Sequence, residues 1–452
     1  MRHFTPPSAP LERASRIAVI GSGVAGLSAA WLLSQRHEVT LYEKDAWIGG
    51  HAHTVDVPGA GKPLPVDTGF IVYNERNYPN LTALFRHLGV ETEPSWMSFS
   101  ASIDGGGLEY SSDSVNAYFG QRRNFVRPRF LRMTADLLRF YRKAMRLAAG
   151  GDMPDMTLGE YLHHEGYSEA FAEYHILPMS AAIWSTTPRE IRAYPVAAFL
   201  RFYASHGLLD ITKRPAWRTV TGGSRSYVEK LRAAIRDVRP GRGVSRIERS
   251  PLGVTITDDS GDSQRFSDVV IAAHADEALE MLADADPAER EILGAFGYTH
   301  NDAVLHTDAT LMPRRRRVWS SWNFVGSSAQ SGRQMSVTYW MNRLQNIDEA
   351  HPLFVTLNAG RQPRPDTVIG RYSYSHPYFD RTALAAQQDL WRLQGRRGTW
   401  FCGAYFGYGF HEDGLQSGLA VAEALGGVRR PWARPDDRIA PAAPKEPAEA
   451  AA

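Results

Sequence analysis

The chain contains 452 residues, of which 43% are hydrophobic and 22% are charged, and its formal net charge is +2. This near balance gives no general basis for nucleic-acid binding, so any basic contact must be local. Cys402 is the single cysteine, which excludes an internal disulfide, a thiolate zinc cluster and a CxxC redox pair. The chain is longer than is usual for a protein that folds around a single hydrophobic core, so two domains are predicted.

The two ends of the chain differ in composition from the rest. Residues 1–14 are polar and contain proline, without the apolar segment of a secretory signal. Residues 428–452 are rich in proline and alanine, so both ends are expected to be flexible. Because no apolar run approaches the length that crosses a bilayer, we expect a cytoplasmic protein that is at most peripheral at the inner face of the cytoplasmic membrane.

The first part of the chain alternates short strands with a helix. RIAVI at 16–20 is a β-branched run bounded by glycine, which is typical of a buried parallel strand. A helix is predicted from Val24 to Ser34, and a second strand is predicted at 38–43. From residue 54 onward, apolar and polar residues alternate around a Gly/Pro turn and predict a hairpin.

The later elements place the α/β pattern in three separate blocks. They are a helix at about 126–148, an antiparallel meander at 243–259, a buried strand at 267–273, a last strand at 399–405 and a last helix at 414–425. The pattern predicts an α/β fold with two domains. The Rossmann-type nucleotide-binding domain would comprise 15–85, 215–275 and 395–427, and the inserted α+β domain would comprise 86–214 and 276–394.

A glycine motif follows the first predicted strand. The hexamer Gly21-Ser22-Gly23-Val24-Ala25-Gly26 is a GxGxxG motif that opens the first predicted helix. Its glycines permit a tight turn and a close approach of a pyrophosphate to the helix N-terminus. Glu43 lies 20 residues beyond Gly23 at the end of the next strand, where a carboxylate accepts hydrogen bonds from ribose hydroxyls. This context predicts a dinucleotide site.

Segments after this motif favour FAD over NAD. Gly49-Gly50, the Asp67-Thr68-Gly69 turn and GAYFGYGFHEDGLQSG (403–418) resemble the flavin-dependent amine oxidase superfamily, which includes monoamine oxidases, carotenoid desaturases and protoporphyrinogen oxidase. Further matching segments are VIGSGVAGLSAAWLL (19–33), YEKDAWIGG (42–50), TGGSRSYVEKL (221–231), VSRIE (244–248), DVVIAAHADEAL (268–279) and FCGAYFGYGFHEDGLQSGLAVAEAL (401–425). The resemblance implies FAD as cofactor, a glutathione-reductase-like FAD-binding domain and an amine oxidase-like α+β substrate domain.

The same resemblance implies a set of cofactor-binding residues. They are Gly21, Ser22, Gly23, Ala25, Gly26, Glu43, Lys44, Gly49, Gly50, His51, Val244, Gly403, Asp413, Gly414 and Gln416. Val244 resembles the position whose backbone contacts adenine, and Gln416 resembles a residue near the isoalloxazine. Asp413-Gly414 would open the last helix at the phosphate end. The family often has arginine after the double glycine, whereas this chain has His51, which leaves the role of this position open.

A narrower resemblance concerns the substrate. GGHAHTV (49–55), VDTGFIVYNERNYPNLTALFRHLGVETEPSWMSFSAS (66–102) and VTYWMNRLQN (337–346) are similar to the flavin domain fused to plant cyclopropane fatty acid synthases and to stand-alone bacterial proteins. Some of these bacterial relatives dehydrogenate methyl-branched acyl chains on phospholipids, on the way to furan fatty acids. The resemblance therefore implies an acyl-lipid or other hydrophobic substrate, and it suggests a lipid methyltransferase as a partner.

Residues 122–146 contain nine Arg/Lys and one acid, Asp136. Phe130, Met133, Leu137, Leu138, Tyr141 and Met145 can form an apolar stripe at helical spacing. A basic amphipathic helix is typical of a surface that contacts an anionic membrane. The alternative is a helix that packs its stripe on its own domain. Arg314–Arg317 form a second basic cluster, which either adds to the same face or lies in a solvated loop.

FAD accepts a hydride at N5, and the neighbouring proton must go to a base. Tyr405, Tyr408 and Trp340 are candidates for an aromatic wall that stabilises a cationic carbon, and His411 is the candidate base. The alternative that these residues only pack around FAD stays open. Paired histidines such as His163-His164 lack a metal-ligand spacing, so no metal is expected.

Three functions are consistent with these features. The first is an FAD-dependent dehydrogenase, or desaturase, of methyl-branched phospholipid acyl chains. The second is an oxidase of an amine or another hydrophobic small molecule. The third is a flavin-binding accessory protein of a lipid methyltransferase. The sequence leaves the bond position, the direction of the reaction, the electron acceptor and the oligomeric state open.

Overall fold

The computed structural model describes residues 14–59, 61–210, 215–327 and 336–433. The predicted flexible segments 1–13 and 434–452 therefore lie outside the described residues. The strands are β1 Arg16–Ile20, β2 Glu38–Tyr42, β3 Thr54–Val57, β4 Leu64–Asp67, β5 Tyr73–Asn74, β6 Thr92–Ser95, β7 Phe99–Ile103, β8 Leu108–Ser111, β9 Trp217–Val220, β10 Asp237–Arg239, β11 Val244–Ser250, β12 Gly253–Asp258, β13 Ser263–Phe266, β14 Asp268–Ile271, β15 Gly297–His306, β16 Trp322–Gly326, β17 Ser336–Trp340, β18 Phe354–Leu357, β19 Val368–Tyr378 and β20 Thr399–Phe401.

Helices alternate with these strands and also form one large helical block between β8 and β9. The α-helices are α1 Val24–Leu33, α2 Pro79–Leu88, α3 Val115–Tyr118, α4 Pro128–Ala148, α5 Leu158–His164, α6 Glu169–Phe171, α7 Leu177–Trp184, α8 Pro188–Ala193, α9 Val196–Ser205, α10 Arg225–Ala233, α11 Ala275–Met281, α12 Pro287–Leu293, α13 Met341–Leu344, α14 Arg381–Gln387 and α15 His411–Gly426. A 3-10 helix, Arg122–Val126, precedes α4, and a second one, Ala404–Phe406, follows β20.

A parallel sheet brings together the three α/β blocks. Its strand order among the described residues is β10-β2-β1-β14-β20, and every neighbouring pair is parallel. The strands are short and, except for β10, mainly apolar, as expected for a sheet that helices cover on both faces. The predicted α/β fold is confirmed, and so are the hairpin β3–β4 and the meander β11–β12–β13. The predicted domain boundaries stay predictions.

A second, larger sheet lies in the inserted segments. Its order is β19-β15-β18-β17-β16-β7-β8, and all of its pairings are antiparallel except the parallel pair β7–β16. The helical block from α4 to α9 packs beside it. In the part of the chain that the structure describes, no helix combines the length and the apolar composition needed to cross a bilayer.

The first and last helices meet without space for side chains between them. A Cβ added to Gly418 of α15 would lie 2.1 Å from the carbonyl oxygen of Ala25 in α1. A Cβ added to Gly414 would lie 2.9 Å from the Val24 side chain. Only glycine permits this approach, which holds the end of the chain against the helix that follows the glycine motif.

Two predictions at the C-terminal end are wrong in detail. The last helix begins at His411 and not at Gly414, because Asp413 in its first turn accepts hydrogen bonds from the backbone N–H groups of Tyr408 and Phe410. The flexible terminus does not begin at residue 428. Arg430 forms a buried ion pair with Glu423, and the Trp432 ring stacks on Trp31 with centroids 6.1 Å apart.

Asp67 joins three distant segments at the end of β4. Its buried carboxylate accepts hydrogen bonds from Thr54 Oγ1 at 2.6 Å, from Ser224 N at 2.9 Å and from Gln345 Nε2 at 3.0 Å. Burial raises the pKa of Asp67 to about 6. Its partners lie in β3, in the TGGS segment (221–224) and in VTYWMNRLQN (337–346), so three motifs that carry the family resemblance meet at one carboxylate.

The substitution Asp67→Asn is expected to lower the free energy of unfolding by about 2–3 kcal/mol, because the new amide would direct N–H groups at buried donors. Urea unfolding above the pKa of Asp67 measures this loss. Asp56→Asn is the matched control. Asp56 lies in β3 of the same hairpin, two residues after Thr54, and pairs with Arg225 at a half-exposed position. Surface pairs contribute less than about 1 kcal/mol, so equal losses in the two variants would contradict the prediction.

Candidate functional site

The glycine motif forms a turn that is closed on one side and open on the other. Gly21 has a φ of +95°, in the left-handed region, and a Cβ there would lie 2.9 Å from the Ala272 carbonyl oxygen. A Cβ on Gly26 would lie 1.8 Å from the Gly21 carbonyl oxygen. Around Gly23 no atom of the described chain lies within 4 Å of an added Cβ. The turn therefore packs tightly beneath Gly23 and leaves room above it, at the N-terminus of α1.

Glu43 secures this turn from the end of β2. Its buried carboxylate accepts hydrogen bonds from Ser22 N at 2.8 Å and from Ser22 Oγ at 2.6 Å. The Ser22 hydroxyl in turn accepts a hydrogen bond from Gly49 N at 3.1 Å. A Cβ on Gly50 would lie 3.1 Å from Gly23 Cα, so the double glycine packs directly on the motif. The ribose contact of Glu43 stays a prediction.

Two predicted cofactor residues lie toward the outer edge of this region. The exposed ammonium of Lys44 forms an ion pair with Glu277 at 2.5 Å. Val244 begins β11 and is half-buried. Their proposed contacts with the nucleotide remain predictions, and Lys44 already has an acidic partner.

A cleft of about 270 Å³ opens beside the glycine motif. The predicted residues that line it are Gly23, Ala25, His51, Gly403, Tyr405, Tyr408, His411 and Gly414. The first and the last parts of the chain therefore face each other across one cavity. Residues from the helical block, Ile183 and Trp184, and from β19, Ser375 and His376, complete its walls.

His411 is the first residue of α15 and lies against the cleft. Its ring stacks on Phe70 with centroids 3.9 Å apart, and its Nε2 is 2.5 Å from the hydroxyl of Tyr227. Burial lowers the pKa of His411 to about 3. The imidazole is therefore neutral near pH 7, and one of its nitrogens is already engaged by Tyr227.

Three more histidines surround the same cavity, and two of them were missed by the sequence analysis. The rings of His51 and His376 are 5.0 Å apart, and His274 stacks on Tyr298 at 4.4 Å. Burial lowers the pKa of His51 well below its ordinary value, lowers that of His376 to about 4, and also lowers that of His274. The cleft is consequently rich in polar rings that carry no charge near neutral pH.

Three buried polar atoms on residues that line the cleft have no hydrogen-bond partner among the described residues. They are His51 Nε2, Trp184 Nε1 and Tyr405 Oη. Buried polar groups in folded proteins are normally paired, so these atoms indicate a polar ligand. Together with the open space above Gly23, they fit a dinucleotide with a polar ring system such as FAD. Gly21, Gly23 and Gly26 would hold its pyrophosphate, and His51 and Tyr405 would face its remaining part.

Tyr405→Phe is expected to raise the free energy of unfolding of the FAD-free protein by about 1 kcal/mol, because it removes an unpaired buried hydroxyl. With FAD bound, we expect no gain, because the hydroxyl then has a partner. Thermal and urea unfolding with and without FAD measure both values. Tyr203→Phe is the control, since the Tyr203 hydroxyl already pairs with Ser180. An equal gain in both forms would show that the Tyr405 hydroxyl contacts no cofactor.

Trp340 is not brought to the cleft, and its predicted place in the aromatic wall is wrong. The side chain packs in a separate cluster with Trp319, Met312 and Phe354, and its Nε1 donates to Asn342 at 3.1 Å. Alternate residues of a strand point to opposite faces of a sheet, so Trp340 points away from the face that its neighbour Tyr339 shares with the main core.

Gln416 is not among the residues that line the cleft, and its predicted place near the flavin stays a prediction. Its amide donates to Glu412 at 2.8 Å. The Glu412 carboxylate accepts hydrogen bonds from the backbone of Asn80 and Leu81 at the start of α2. These residues therefore fasten α15 to α2. Because α15 begins at His411, three residues earlier than predicted, Gln416 lies in its second turn.

For some of the site residues that were not predicted, the position in the sequence gives a signal, and for others it gives none. His274 follows β14 by three residues, and ligands of open α/β sheets bind beyond the carboxyl ends of strands, so its position gave a signal. Phe70 directly follows the Asp67-Thr68-Gly69 turn. His376 and Trp184 lie in the inserted segments, where no local pattern marks a side chain as facing a cofactor. No group of three or more His, Cys, Asp or Glu suited to a metal occurs within the ranges that the structure describes.

The turn, the parallel sheet and the shared cleft define an α/β flavoprotein. The sequence model of the family described as flavin containing amine oxidoreductase matches residues 24–361, well over half of the chain. The protein therefore belongs to the flavin containing amine oxidoreductase family, as the resemblance implied, and FAD is its cofactor. The narrower resemblance to methylated-fatty-acid desaturases stays a prediction.

Individual relatives agree with this family. AofH of Mycobacterium tuberculosis, which has a provisional assignment as a flavin-containing monoamine oxidase, is 26% identical over 265 residues, which is 55% of this chain and 54% of AofH. Carotenoid phi-ring synthase of Streptomyces griseus is 27% identical over 303 residues, which is 61% of this chain and 55% of that protein. The chain thus spans about half the length of these curated relatives.

One solved structure shows how complete the shared fold is. The crystal structure of the CLA-producing fatty acid isomerase from P. acnes superposes with a TM-score of 0.63 at 17% sequence identity. The superposition covers 90% of this chain and 98% of the isomerase. At this identity the likeness concerns the fold over nearly the whole chain, and not the reaction.

Proposed function

We propose that the protein is an FAD-dependent oxidoreductase that dehydrogenates the fatty acyl chains of phospholipids, and in particular methyl-branched chains. The observation that carries this proposal is the uncharged cleft. Among the described residues that line it, none is Asp, Glu, Lys or Arg. An apolar chain can enter such a cavity without leaving a buried charge unpaired.

The walls of the cleft suit a hydrocarbon better than a cation. Phe70, Ile183, Trp184 and Phe410 supply apolar surface, and the four lining histidines are neutral near pH 7 because burial lowers the pKa of each. A substrate ammonium would find no carboxylate on these walls to replace its hydration. Aromatic faces, by contrast, stabilise positive charge that develops only during the reaction.

The chemistry divides between the cofactor and the chain. FAD, when bound, accepts a hydride at N5. The chain must position the substrate, exclude water and receive the proton that leaves the neighbouring carbon. His411 is neutral and can accept a proton, and the low pKa makes it a weak base. A weak base suffices when the adjacent carbon carries positive charge, since such a proton is strongly acidic.

Relatives give this proposal and its main alternative different support. The fatty acid isomerase shows that the fold accommodates a fatty acid, and carotenoid phi-ring synthase is named for a product that is largely hydrocarbon. AofH and the family description favour the second candidate, an amine oxidase. The third candidate, an accessory protein of a lipid methyltransferase, needs FAD to be bound but never reduced.

Anaerobic reduction of the bound flavin distinguishes the three candidates. The purified FAD-loaded protein would be mixed in turn with methyl-branched phospholipids, with unbranched phospholipids and with a panel of primary amines. We expect the visible flavin absorbance to bleach with the branched lipid, and mass spectrometry to find the lipid product two hydrogens lighter. Bleaching by amines alone would establish the oxidase, and no bleaching by any class would favour the accessory role.

A further inference from the structure

An apolar tip projects from the helical block between α3 and α4. In the 3-10 helix Arg122–Val126, the side chains of Phe125 and Val126 are 53% and 78% exposed. The Phe125 ring stacks on Phe119 with centroids 4.0 Å apart, so the tip has a defined conformation. Exposed large apolar side chains in a cluster indicate an interaction site.

A row of exposed apolar residues continues from this tip along α4. Leu131, Leu138 and Met145 are 44%, 40% and 41% exposed. Residues seven apart lie on the same side of a helix, so the three form one line. The opposite side of α4 is buried in the helical block through Phe130 and Phe140. The contacts on that inner side account for the packing of α4 in the protein, and the outer row has no such role.

Arginines flank the tip and the row, and several of them donate to no carboxylate among the residues that the structure describes. Arg122 donates to the carbonyl of Phe119, Arg123 and Arg127 donate to the carbonyl of Gly107, and Arg142 donates to the carbonyl of Leu138. Backbone carbonyls do not neutralise a guanidinium. By contrast, Asp136 pairs with Arg132 and Arg139, and Glu165 pairs with Lys143.

The second basic cluster adjoins the first through the turn between β7 and β8. Arg315 donates to the carbonyl of Gly106, next to the Gly107 carbonyl that Arg123 and Arg127 share. Arg315 is paired with Glu109, and Arg316 is paired with Glu349. Arg314 packs on the Gly105–Gly106 turn. The two basic clusters of the sequence thus belong to one continuous surface.

We propose that this surface docks the protein on an anionic phospholipid bilayer. The docking surface consists of Phe125, Val126, Leu131, Leu138 and Met145, with the arginines of segments 122–146 and 314–317 around them. Its apolar side chains would enter the interface between headgroups and acyl chains, and its arginines would contact lipid phosphates. The combination distinguishes a bilayer from a nucleic acid, because phosphates of a nucleic acid need the arginines but not the exposed apolar row.

The docking surface lies close to the cleft. α4 packs on α9, and Phe202 of α9 stacks on Phe410 of the cleft with centroids 5.1 Å apart. Phe202 also meets the Tyr408 ring at 5.8 Å. One helix therefore separates the bilayer side of the block from the cavity. If the acyl substrate of the proposed function is correct, the lipid would have a short path, but docking itself does not require that substrate.

Vesicle flotation of the FAD-loaded protein tests docking without any turnover. We expect the protein to float with vesicles of phosphatidylglycerol and phosphatidylcholine, and to stay behind with phosphatidylcholine alone. Each basic residue near an anionic surface strengthens binding about fivefold, so Arg142→Gln with Arg146→Gln should weaken it by roughly tenfold or more. Phe125→Ser with Val126→Ser should weaken it by a similar factor.

Matched controls lie elsewhere on the surface. Arg232→Gln with Arg236→Gln removes two exposed charges at the end of α10, and Leu252→Ser removes an exposed apolar side chain at the β11–β12 turn. Both controls should bind like the unchanged protein, and bound FAD reports that every variant is folded. Absence of flotation with anionic vesicles would overturn the proposal. Binding that duplex DNA displaces and that Phe125→Ser with Val126→Ser leaves unchanged would also overturn it, in favour of nucleic acid.

Discussion

Replacing Gly26 with alanine is expected to weaken FAD binding by roughly tenfold to a hundredfold, which corresponds to about 1–3 kcal/mol of overpacking strain. An added Cβ would lie 1.8 Å from the Gly21 carbonyl oxygen, so either the turn or α1 must shift. Both hold the place of the pyrophosphate, and a shift in either one misdirects the backbone N–H groups. The ratio of flavin absorbance to protein absorbance, followed during titration of the FAD-free protein, measures the change.

Gly360→Ala is the control for Gly26→Ala, because no described atom lies within 4 Å of its added Cβ. This variant should retain FAD fully. Circular dichroism of both variants separates loss of the cofactor from loss of the fold. Normal FAD affinity in a folded Gly26→Ala protein would show that the turn does not hold the pyrophosphate.

The second large effect concerns acid stability. The pKa of His411 is about 3 in the folded protein, against 6.5 for an ordinary histidine. Between these values the unfolded chain binds a proton that the folded chain does not. The free energy of unfolding therefore decreases as the pH falls, by about 1.4 kcal/mol per pH unit for each such residue. His376, with a pKa of about 4, adds to this effect.

His411→Gln should therefore reduce the loss of stability between about pH 7 and about pH 5 by roughly 2 kcal/mol. Urea unfolding at the two pH values measures the difference. Asp67 acts in the opposite direction, since its raised pKa lets the folded chain keep a proton that the unfolded chain releases. Burial also raises the pKa of Asp268 and Glu412, which act in the same direction as Asp67. Burial lowers the pKa of six of the described histidines, so acid remains destabilising overall. A His411→Gln protein that loses as much stability as the unchanged protein between the two pH values would contradict this account.

The nucleotide-binding part could be predicted because its information is local. A β-branched run, three glycines and a carboxylate 20 residues later lie within 30 residues of sequence, and the structure places Gly23, Ser22 and Glu43 together. The far wall could be placed by family resemblance, although the start of α15 could not. That boundary depends on Asp413 turning back to the backbone of Tyr408 and Phe410, a choice that composition does not reveal.

The substrate side could not be predicted in the same way. Which face of β17 carries Trp340 depends on the register of a seven-stranded sheet whose strands come from both inserted segments. His376 reaches His51 only because β19 pairs with β15 in that sheet. The composition around Trp432 predicted a flexible proline-rich tail, whereas in the structure its ring stacks on Trp31. In each case the deciding contact joins residues that are far apart in the chain.

The contact between α1 and α15 has a consequence for biosynthesis. Gly23 leaves the ribosome early, but the helix that closes its cleft begins at His411, and Gly418 must pass before α15 can meet Ala25. The strand β20, at the edge of the parallel sheet, is made almost as late. The growing chain therefore carries an unfinished cofactor pocket through nearly all of translation. Contacts of such high sequence separation form slowly, so FAD can be captured only by a chain that is essentially complete.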